Sequence, residues 1–226
     1  MVDDDVTVLR AVLFDIDGTL VDSNYLHVDA WQRAFDAVGH PVDAWRIHRA
    51  IGMDSGTLLD AILGDDRQQV GERAKRLHAE HLAASASRLR TFPGARQLLT
   101  AVDSLGIRVT LCTSAPPDEL TRLLTVLDAD DVVHAVTSAD DVDQAKPDPH
   151  IIHAALSKAG VSAEQAVMLG DTVWDAIAAG RAGVPCVGVM SGGISAADLV
   201  EAGAIAVYED VADLLRNLEA SPFLAH

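Results

Sequence analysis

Residues 11–20, Ala-Val-Leu-Phe-Asp-Ile-Asp-Gly-Thr-Leu, place two carboxylates at the end of an apolar run. The run is typical of a buried strand, and burying two charges is costly unless another group compensates them. Because side chains alternate along a strand, Asp15 and Asp17 point to the same side and repel each other. A divalent cation or a shared proton relieves such repulsion. The stretch therefore predicts a strand that ends in a metal-assisted active site.

Strand-like apolar runs alternate with helical patterns along most of the chain. We predict strands at Val8–Phe14, Arg108–Cys112, Val132–Thr137, Ala166–Leu169, Pro185–Met190 and Ala204–Tyr208. Helical patterns lie between them, for example at Asp118–Leu127, His150–Ala159 and Ala196–Ala202. This alternation is typical of a parallel sheet covered by helices on both faces. The sequence therefore predicts an α/β fold with a doubly wound parallel sheet.

One long segment after the first strand breaks the alternation, because it has helical periodicity and no convincing strand. Its predicted helices are His27–Val38, Leu58–Leu63 and Glu72–Ala86. Phe92-Pro93-Gly94 then marks the return to the sheet, followed by a predicted helix at Ala95–Ser104. We therefore predict a core of residues 1–21 and 91–226 and an inserted helical cap domain of residues 22–90. The C-terminal residues Ser221–His226 are predicted to fray.

The charge and cysteine content limit the partners and the compartment. The formal net charge is −17, with 34 acidic and 17 basic residues, which disfavours nucleic acid and anionic membranes as partners. Cys112 and Cys186 lie in predicted buried strands and are expected to be free thiols in a reducing compartment. No apolar run approaches the roughly 20 residues that span a bilayer, and the acidic start lacks a signal-peptide pattern. We expect a cytoplasmic protein.

Polar residues follow two further predicted strands. Ligands of open parallel sheets bind beyond the carboxyl ends of the strands, where Thr113 and Ser114 follow the second strand and Asp171 and Asp175 the fourth. Lys146 precedes the fourth strand in a proline-rich loop. Oxygen ligands without nearby His or Cys favour Mg²⁺, and a lysine with hydroxyl groups favours a phosphoryl group. The sequence therefore predicts a site for Mg²⁺ and a phosphoryl group.

Each of these residues also has a structural interpretation. Calcium loops contain Asp-x-Asp-Gly, but here a strand precedes it, and Asn24 occupies the position of the final Glu. Asp175 suits the first turn of a helix, and Thr113 suits the end of a strand. Lys146 alone is typical of a solvated loop. The convergence of all these groups at one sheet edge favours the functional interpretation.

Four motifs resemble the haloacid dehalogenase superfamily of phosphotransferases. Residues 15–20 are similar to its first motif, Thr113 to its second, Lys146 to its third, and Gly170-Asp171 with Asp175 to its fourth. They occur in order on the predicted elements, and the resemblance covers nearly the whole chain. It implies a Rossmann-like core whose helical insert is a small mobile cap.

The resemblance also implies a role for each motif residue. Asp15 is expected to be the nucleophile that forms an aspartyl-phosphate, and Asp17 the group that protonates the leaving oxygen and later activates water. Mg²⁺ is expected to bind Asp15, the Asp17 carbonyl and Asp171, with Asp175 acting through water or as support. The expected phosphoryl-binding residues are Asp15, Gly18, Thr113, Ser114 and Lys146.

Cap residues that contact the substrate are harder to identify from one sequence. Residues 47–54 resemble the family's specificity loop, which makes Arg49, Gly52 and Met53 expected substrate contacts. His27 is a further candidate, since it lies four residues before Trp31 at the start of the insert. A core tryptophan with a surface histidine explains that pair equally well.

Two other histidines of the insert, His78 and His81, lie three residues apart on a predicted helix. We expect both on its exposed face rather than as zinc ligands.

The leading hypothesis is a Mg²⁺-dependent phosphatase for a small phosphorylated metabolite, similar to the phosphoglycolate phosphatase branch and either monomeric or homodimeric.

One alternative is a phosphosugar mutase resembling β-phosphoglucomutase. Such mutases carry an arginine shortly after the loop glycine, whereas Met53 follows Gly52, and they tend to have Glu where this chain has Gly170. A second alternative is a non-catalytic protein that binds a phosphorylated ligand. Phosphonate hydrolysis needs a cap lysine, and Lys75 is the only one.

Overall fold

The computed structural model describes residues 8–142 and 146–224, and within them a six-stranded sheet forms the centre of the fold. The strands are β1 (Ala11–Phe14), β2 (Arg108–Cys112), β3 (Val133–Thr137), β4 (Ala166–Gly170), β5 (Cys186–Val189) and β6 (Ala204–Tyr208). Their order is β3-β2-β1-β4-β5-β6, and every pair is parallel. The predicted α/β class and parallel sheet are confirmed.

Ten α-helices occur in the described residues. They are α1 (Asn24–Ala37), α2 (Ala44–Ala50), α3 (Ser55–Leu63), α4 (Arg67–Ala84), α5 (Ala95–Ser104), α6 (Pro117–Leu127), α7 (His150–Ala159), α8 (Val173–Arg181), α9 (Ala196–Glu201) and α10 (Val211–Arg216). None of them is long and apolar enough to cross a membrane.

Side-chain alternation along the central strand creates an apolar layer on each face of the sheet. Val12 and Phe14 pack in one layer, which includes residues of α5, α6 and α10. Ala11 and Leu13 pack in the other, with residues of α7 and α8. All four are fully buried, which explains why the strand is apolar throughout and shows no polar alternation. The sheet is therefore doubly wound, as predicted.

Helices α1 to α4 form a separate helical layer between β1 and β2. They have an apolar cluster of their own, which includes Trp31, Phe35 and Leu59. The chain enters and leaves this layer side by side, because Val21 bridges Thr91 and the Asp22 N–H donates to the Arg90 carbonyl at 2.9 Å.

Several boundaries of the insert's helices differ from the prediction, since α3 begins at Ser55 rather than Leu58 and α4 spans Arg67–Ala84 rather than Glu72–Ala86. Helix α1 begins at Asn24 rather than His27, because its first turn carries polar residues that contact the sheet edge and so lacks the apolar periodicity used to predict it. Helix α2 occupies the start of the expected specificity loop and ends at Ala50, which leaves residues 51–54 as the loop itself.

The C-terminal segment does not fray as predicted. Phe223 is 1% exposed, and its ring meets the ring of Phe14 edge-on at 6.4 Å. Ser221 is also buried. Residues 225–226 lie outside the described part, but the preceding residues belong to the core because a buried aromatic side chain anchors them.

The two cysteines are free and buried, as expected. Cys112 ends β2 and Cys186 begins β5, and β1 and β4 lie between these strands. A disulfide between them is therefore excluded by the topology of the sheet.

Candidate active site

Three polar residues meet where neighbouring strands end. Asp15 follows β1, Thr113 follows β2 and Asp171 follows β4, and β2, β1 and β4 are adjacent in the sheet. All three side chains are buried. The convergence predicted from the strand pattern is therefore present at the carboxyl edge of the sheet, where ligands of such sheets bind.

Lys146 reaches this edge from the loop before α7. Its Nζ lies 2.5 Å from Asp15 Oδ1 and 2.7 Å from Asp175 Oδ1, and it donates to the Cys112 carbonyl at 3.2 Å. The side chain is buried, and although burial opposes its charge, Asp15 and Asp175 raise its pKa well above the usual value. Lys146 is therefore a fixed positive charge beside Asp15.

Three buried carboxylates lie close together beside Lys146, which pairs with two of them, Asp15 and Asp175. Asp15, Asp171 and Asp175 each place an oxygen within 4.8 Å of the others. Burial raises the pKa of Asp15 to about 7 despite Lys146, and burial together with the charges of Asp15 and Asp175 raises the pKa of Asp171 well above its usual range. Such repulsion favours a bound cation, and an all-oxygen donor set fits a hard divalent ion such as Mg²⁺.

Asp171 is held at both carboxylate oxygens. Thr19 Oγ1 donates to Oδ1 at 2.8 Å, and Asn24 Nδ2 donates to Oδ2 at 2.8 Å. Gly18, in a turn with φ of 76°, and Gly192 make room for this arrangement, because a Cβ on either would collide with Asp171 and Asn24. Asn24 Oδ1 is buried without a partner among the described residues, which leaves an acceptor at the edge of the carboxylate cluster.

Asp175 combines the two roles considered from the sequence. Its Oδ2 accepts from the Thr172 N–H at 3.0 Å and from the Thr172 hydroxyl at 2.6 Å, which caps α8. Its Oδ1 faces Lys146. With both oxygens engaged, Asp175 is better placed to support the site than to bind a metal directly.

Asp17 lies beside a histidine of α1 and a glutamate of α6. Asp17 Oδ1 accepts from the Ser23 hydroxyl at 2.5 Å, and His27 Nε2 lies 3.6 Å from Asp17 Oδ1 and 3.3 Å from Glu119 Oε1. Burial opposes the charge on His27, but Glu119 and Asp17 raise its pKa to about 10. Burial alone would raise the pKa of Asp17, yet His27 and Ser23 lower it below the usual value.

His78 extends this network into the insert, contrary to the expected exposed position. It is buried, its ring stacks on Trp31 at 4.0 Å, and its Nε2 lies 3.2 Å from His27 Nδ1. Burial and the charge of His27 lower the pKa of His78 well below its usual value, so it is a neutral partner of the charged His27. His81 is half-buried and outside the cavity lining.

A cavity of about 160 Å³ opens between the sheet edge and the insert. Its lining from the core side includes Asp15, Asp17, Thr113, Ser114, Glu119 and Lys146. Its lining from the insert includes Asn24, His27, Trp31, Gly52, Met53, Asp54, Lys75 and His78. Both His27 and Trp31 thus line the cavity, and Trp31 is at the same time a buried member of the insert's apolar cluster. Ser114 Oγ is buried and without a partner in the described residues, so it is available to a ligand.

Gly52 contacts the core as well as the cavity. Its φ is 93°, and a Cβ there would lie 2.7 Å from the Thr172 hydroxyl. The absence of a side chain at Gly52 therefore lets the backbone approach Thr172 beside the carboxylate cluster.

Two expected ligand contacts lie elsewhere. Arg49 is exposed and outside the cavity lining; its guanidinium lies over the Trp45 ring, and its carbonyl accepts from Trp174 Nε1 at 3.3 Å. It occupies the last turn of α2 rather than the loop, and so faces away. Gly18 is also outside the lining, and its N–H donates to the Val21 carbonyl at 2.8 Å, because the turn after β1 uses that donor.

Sequence reasoning missed four residues of the site: Thr19, Asn24, Glu119 and, as a cavity residue, Lys75. Thr19 lay within the recognised first motif, but its contact with Asp171 has no local sequence signal. Glu119 has the pattern of an ordinary acidic residue in the first turn of a helix. Only the packing of distant elements around the cavity reveals these positions.

Comparison with known proteins agrees with this geometry. The family described as haloacid dehalogenase-like hydrolase matches residues 9–183. A phosphoglycolate phosphatase of Rhodospirillum rubrum is 36% identical over 216 residues, covering 91% of this chain and 89% of the relative. A phosphorylated carbohydrates phosphatase of Thermotoga maritima is 29% identical, covering 93% of this chain and 100% of the relative.

A solved structure of a related hydrolase has a similar fold. A hydrolase from Pseudomonas syringae superimposes with a TM-score of 0.89 at 37% identity, covering 93% of this chain and 98% of that one. The family match spans most of the chain and includes all four motifs, so the resemblance inferred from them is confirmed. The chain belongs to the haloacid dehalogenase-like hydrolase family.

Proposed function

We propose that the protein is a Mg²⁺-dependent phosphatase that hydrolyses a small phosphorylated metabolite through an aspartyl-phosphate on Asp15. The observation that carries this proposal is the placement of Asp15, which lines a small cavity, contacts Lys146 at 2.5 Å and belongs to a buried carboxylate cluster. The phosphatases among its relatives support the same reaction class.

Asp15 acts as the nucleophile in the first half of the reaction. A carboxylate oxygen of Asp15 attacks phosphorus, a new O–P bond forms, and the bond from phosphorus to the leaving oxygen breaks. Lys146 favours the ionised form of Asp15 and attracts the phosphoryl oxygens. Thr113 and Ser114 line the same cavity, and the unpartnered Ser114 hydroxyl supplies a donor to a phosphoryl oxygen.

Asp17 carries the proton in both halves. Without substrate its pKa is low, so it is a carboxylate. A bound phosphate dianion adds negative charge beside it and favours the protonated form, which then gives its proton to the leaving oxygen. In the second half, Asp17 takes a proton from the water that attacks phosphorus, and the O–P bond to Asp15 breaks.

The carboxylate cluster fits the metal that this reaction needs. Asp15, Asp171 and the Asp17 backbone carbonyl would hold Mg²⁺, and Asp175 would support the site through its contacts with Lys146 and Thr172. When bound, the ion neutralises negative charge on the phosphoryl group as it is transferred. Thr19 and Asn24 orient Asp171 for this role, which is the usual task of groups that surround metal ligands.

Residues 22–90 act as a cap, and residues 1–21 and 91–226 form the catalytic core. The two chain crossings at Val21–Thr91 and Asp22–Arg90 provide a narrow connection between them. Because Trp31, Met53 and His78 of the insert line the cavity opposite Asp15, closure excludes bulk water from the reacting groups.

The cavity favours a compact substrate of the phosphoglycolate type. Its volume of about 160 Å³ is below the roughly 300–1,000 Å³ of sites for drug-sized ligands. No arginine lines it in the described part of the chain, which disfavours the mutase alternative. A non-catalytic role is disfavoured because a nucleophile, a proton carrier and a cation site lie together. A cytoplasmic location and a monomeric or homodimeric state stay predictions.

Turnover of p-nitrophenyl phosphate tests the proposed function. We expect Mg²⁺-dependent release of p-nitrophenol, a loss of at least about a thousandfold in kcat for Asp15→Asn, and full activity for Asp130→Asn, a change at an exposed aspartate. Comparable activity in Asp15→Asn would contradict the nucleophile assignment. No turnover of any phosphate ester would favour the binding-protein alternative.

A further inference from the structure

We propose that Lys75 forms a subsite for a carboxylate of the substrate, so that the enzyme prefers small phosphate esters that carry a second negative group. The inference rests on the proposed phosphatase function and adds the feature by which the substrate is chosen.

The position of Lys75 places it opposite the reacting groups. It lies on α4 one turn before His78, and both residues line the cavity that Asp15 and Ser114 line from the core. The cavity holds only about 160 Å³, so a substrate whose phosphoryl group contacts Asp15 lies close to the insert wall. The flexible four-carbon stem of a lysine then brings the ammonium group to the far end of that substrate.

Lys75 also differs from the other charged residues of the cavity in having no partner. The partners are Lys146 for Asp15, His27 for Asp17 and Glu119, and the N-terminal backbone N–H groups of α3 for Asp54. Within residues 8–142 and 146–224, the lysine ion pairs involve only Lys146 and Lys158. Lys75 is therefore the one cationic side chain of the described lining whose charge is uncompensated.

The chemistry of this position favours recognition of an anion over covalent catalysis. Lys75 is exposed to water, whereas a Schiff-base lysine needs desolvation or a neighbouring cation. The phosphoryl group already has Lys146 as a cationic partner beside Asp15. A carboxylate suits Lys75 better than a second phosphate, because the cavity is small and its described lining contains no arginine.

A pair of nearly isosteric substrates tests this assignment. 2-Phosphoglycolate and 2-hydroxyethyl phosphate share the phosphoryl group. The first carries a carboxylate where the second carries a neutral CH₂OH group. With Mg²⁺ held constant, we expect wild type to prefer 2-phosphoglycolate in kcat/KM by roughly tenfold, which corresponds to about 1.4 kcal/mol. Lys75→Met should bring this ratio close to one, and Lys75→Arg should retain most of it because it keeps the positive charge.

Arg76→Met is the matched control, because Arg76 is the next residue of α4, is exposed and pairs with Glu80 on the helix surface. It removes a positive charge from the neighbouring position of the same helix but outside the cavity lining. The kcat/KM ratio of the two substrates should therefore equal that of wild type. Raising the ionic strength should lower the ratio of wild type and leave that of Lys75→Met unchanged, since salt screens an exposed ion pair.

The outcomes separate this inference from the function on which it rests. A wild-type ratio near one, or an unchanged ratio in Lys75→Met, overturns the subsite while the phosphatase function stands. If wild type hydrolyses no phosphate ester, the function fails, and calorimetric binding of 2-phosphoglycolate to Asp15→Asn still tests Lys75. Adding Lys75→Met to that variant should weaken binding roughly tenfold, and equal affinity overturns the proposal.

Discussion

The aspartates of this site differ in which of their carboxylate oxygens accept hydrogen bonds. Asp171 has a donor on each oxygen, Thr19 on one and Asn24 on the other, so its remaining lone pairs have a fixed direction. Asp17 has two neighbours on a single oxygen, Ser23 and His27, which leaves its second oxygen for the proposed proton transfer. Chemically identical side chains thus have different environments, which suit the different roles proposed for them.

Asn24→Ala tests the orientation of Asp171 by its neighbour. Without the amide donor at 2.8 Å, Asp171 is free to rotate, and we expect the Kd for Mg²⁺ to rise by roughly 10–100-fold. Titration calorimetry with MgCl₂ measures this without any turnover. Asn217→Ala, at an exposed helix end, should leave Kd unchanged. An unchanged Kd in Asn24→Ala as well would show that Thr19 alone orients Asp171.

Helices of the insert and of the core meet at an ion pair over the cavity. His27 in the first turn of α1 lies between Asp17, after β1, and Glu119 in the first turn of α6. The side chains of His27 and Glu119 are only 13% and 12% exposed, so solvent screens this pair weakly. The contact therefore connects the start of the insert to the core beside Asp17, the proposed acid–base residue.

The pH dependence of stability tests this contact. The pKa of His27 is raised from 6.5 to about 10, so its contribution to the free energy of unfolding is complete below about pH 6.5 and lost as the pH rises through 10. Glu119→Gln removes the largest charge that raises this pKa and should cost about 1–2 kcal/mol near pH 6. The difference in Tm from wild type should then shrink toward pH 10.

Thermal unfolding followed by circular dichroism between pH 6 and pH 10 makes this measurement. Glu219→Gln, at an exposed position near the C-terminus, should match wild type throughout. A Tm difference for Glu119→Gln that stays constant across the range would mean that the glutamate stabilises the fold by packing rather than by its charge.

Across the whole molecule, the last described residues complete the core around the first strand. Phe223 is fully buried against Phe14, directly before Asp15, the proposed nucleophile. The C-terminal end of the described chain therefore supports the strand that presents Asp15, and the stability of that strand depends on residues far away in the sequence.

Phe223→Ala should lower the free energy of unfolding by about 3–5 kcal/mol, because it leaves a cavity in a close-packed core. Ile205→Ala is the matched control: Ile205 lies on β6 and is 58% exposed, so its truncation should cost less than about 1 kcal/mol. Urea unfolding with a common m-value measures both. A cost for Phe223→Ala as small as that of the control would show that the C-terminal segment frays, as the sequence predicts.

Local sequence patterns were sufficient to predict most of the sheet and the position of the motif residues. The apolar runs located all six strands, and β1, β4 and β5 are buried along their whole length, which requires apolar residues on both faces. Helices with regular apolar periodicity, such as α5 and α7, agree with their predicted bounds. The start of α1 and the buried Phe223 were predicted wrongly, because polar contacts and distant packing partners override local periodicity there.

The sequence by itself determined the α/β class, the family and the placement of Asp15, Thr113, Lys146 and Asp171 at one sheet edge, because each follows from a short pattern and a topological rule. Tertiary structure alone decided which residues complete the site. Asn24 reaches Asp171 across 147 positions, and Lys75 enters the cavity only because α4 packs over the sheet edge. Contacts between distant segments depend on how whole elements pack, and no local pattern of residue types encodes that packing.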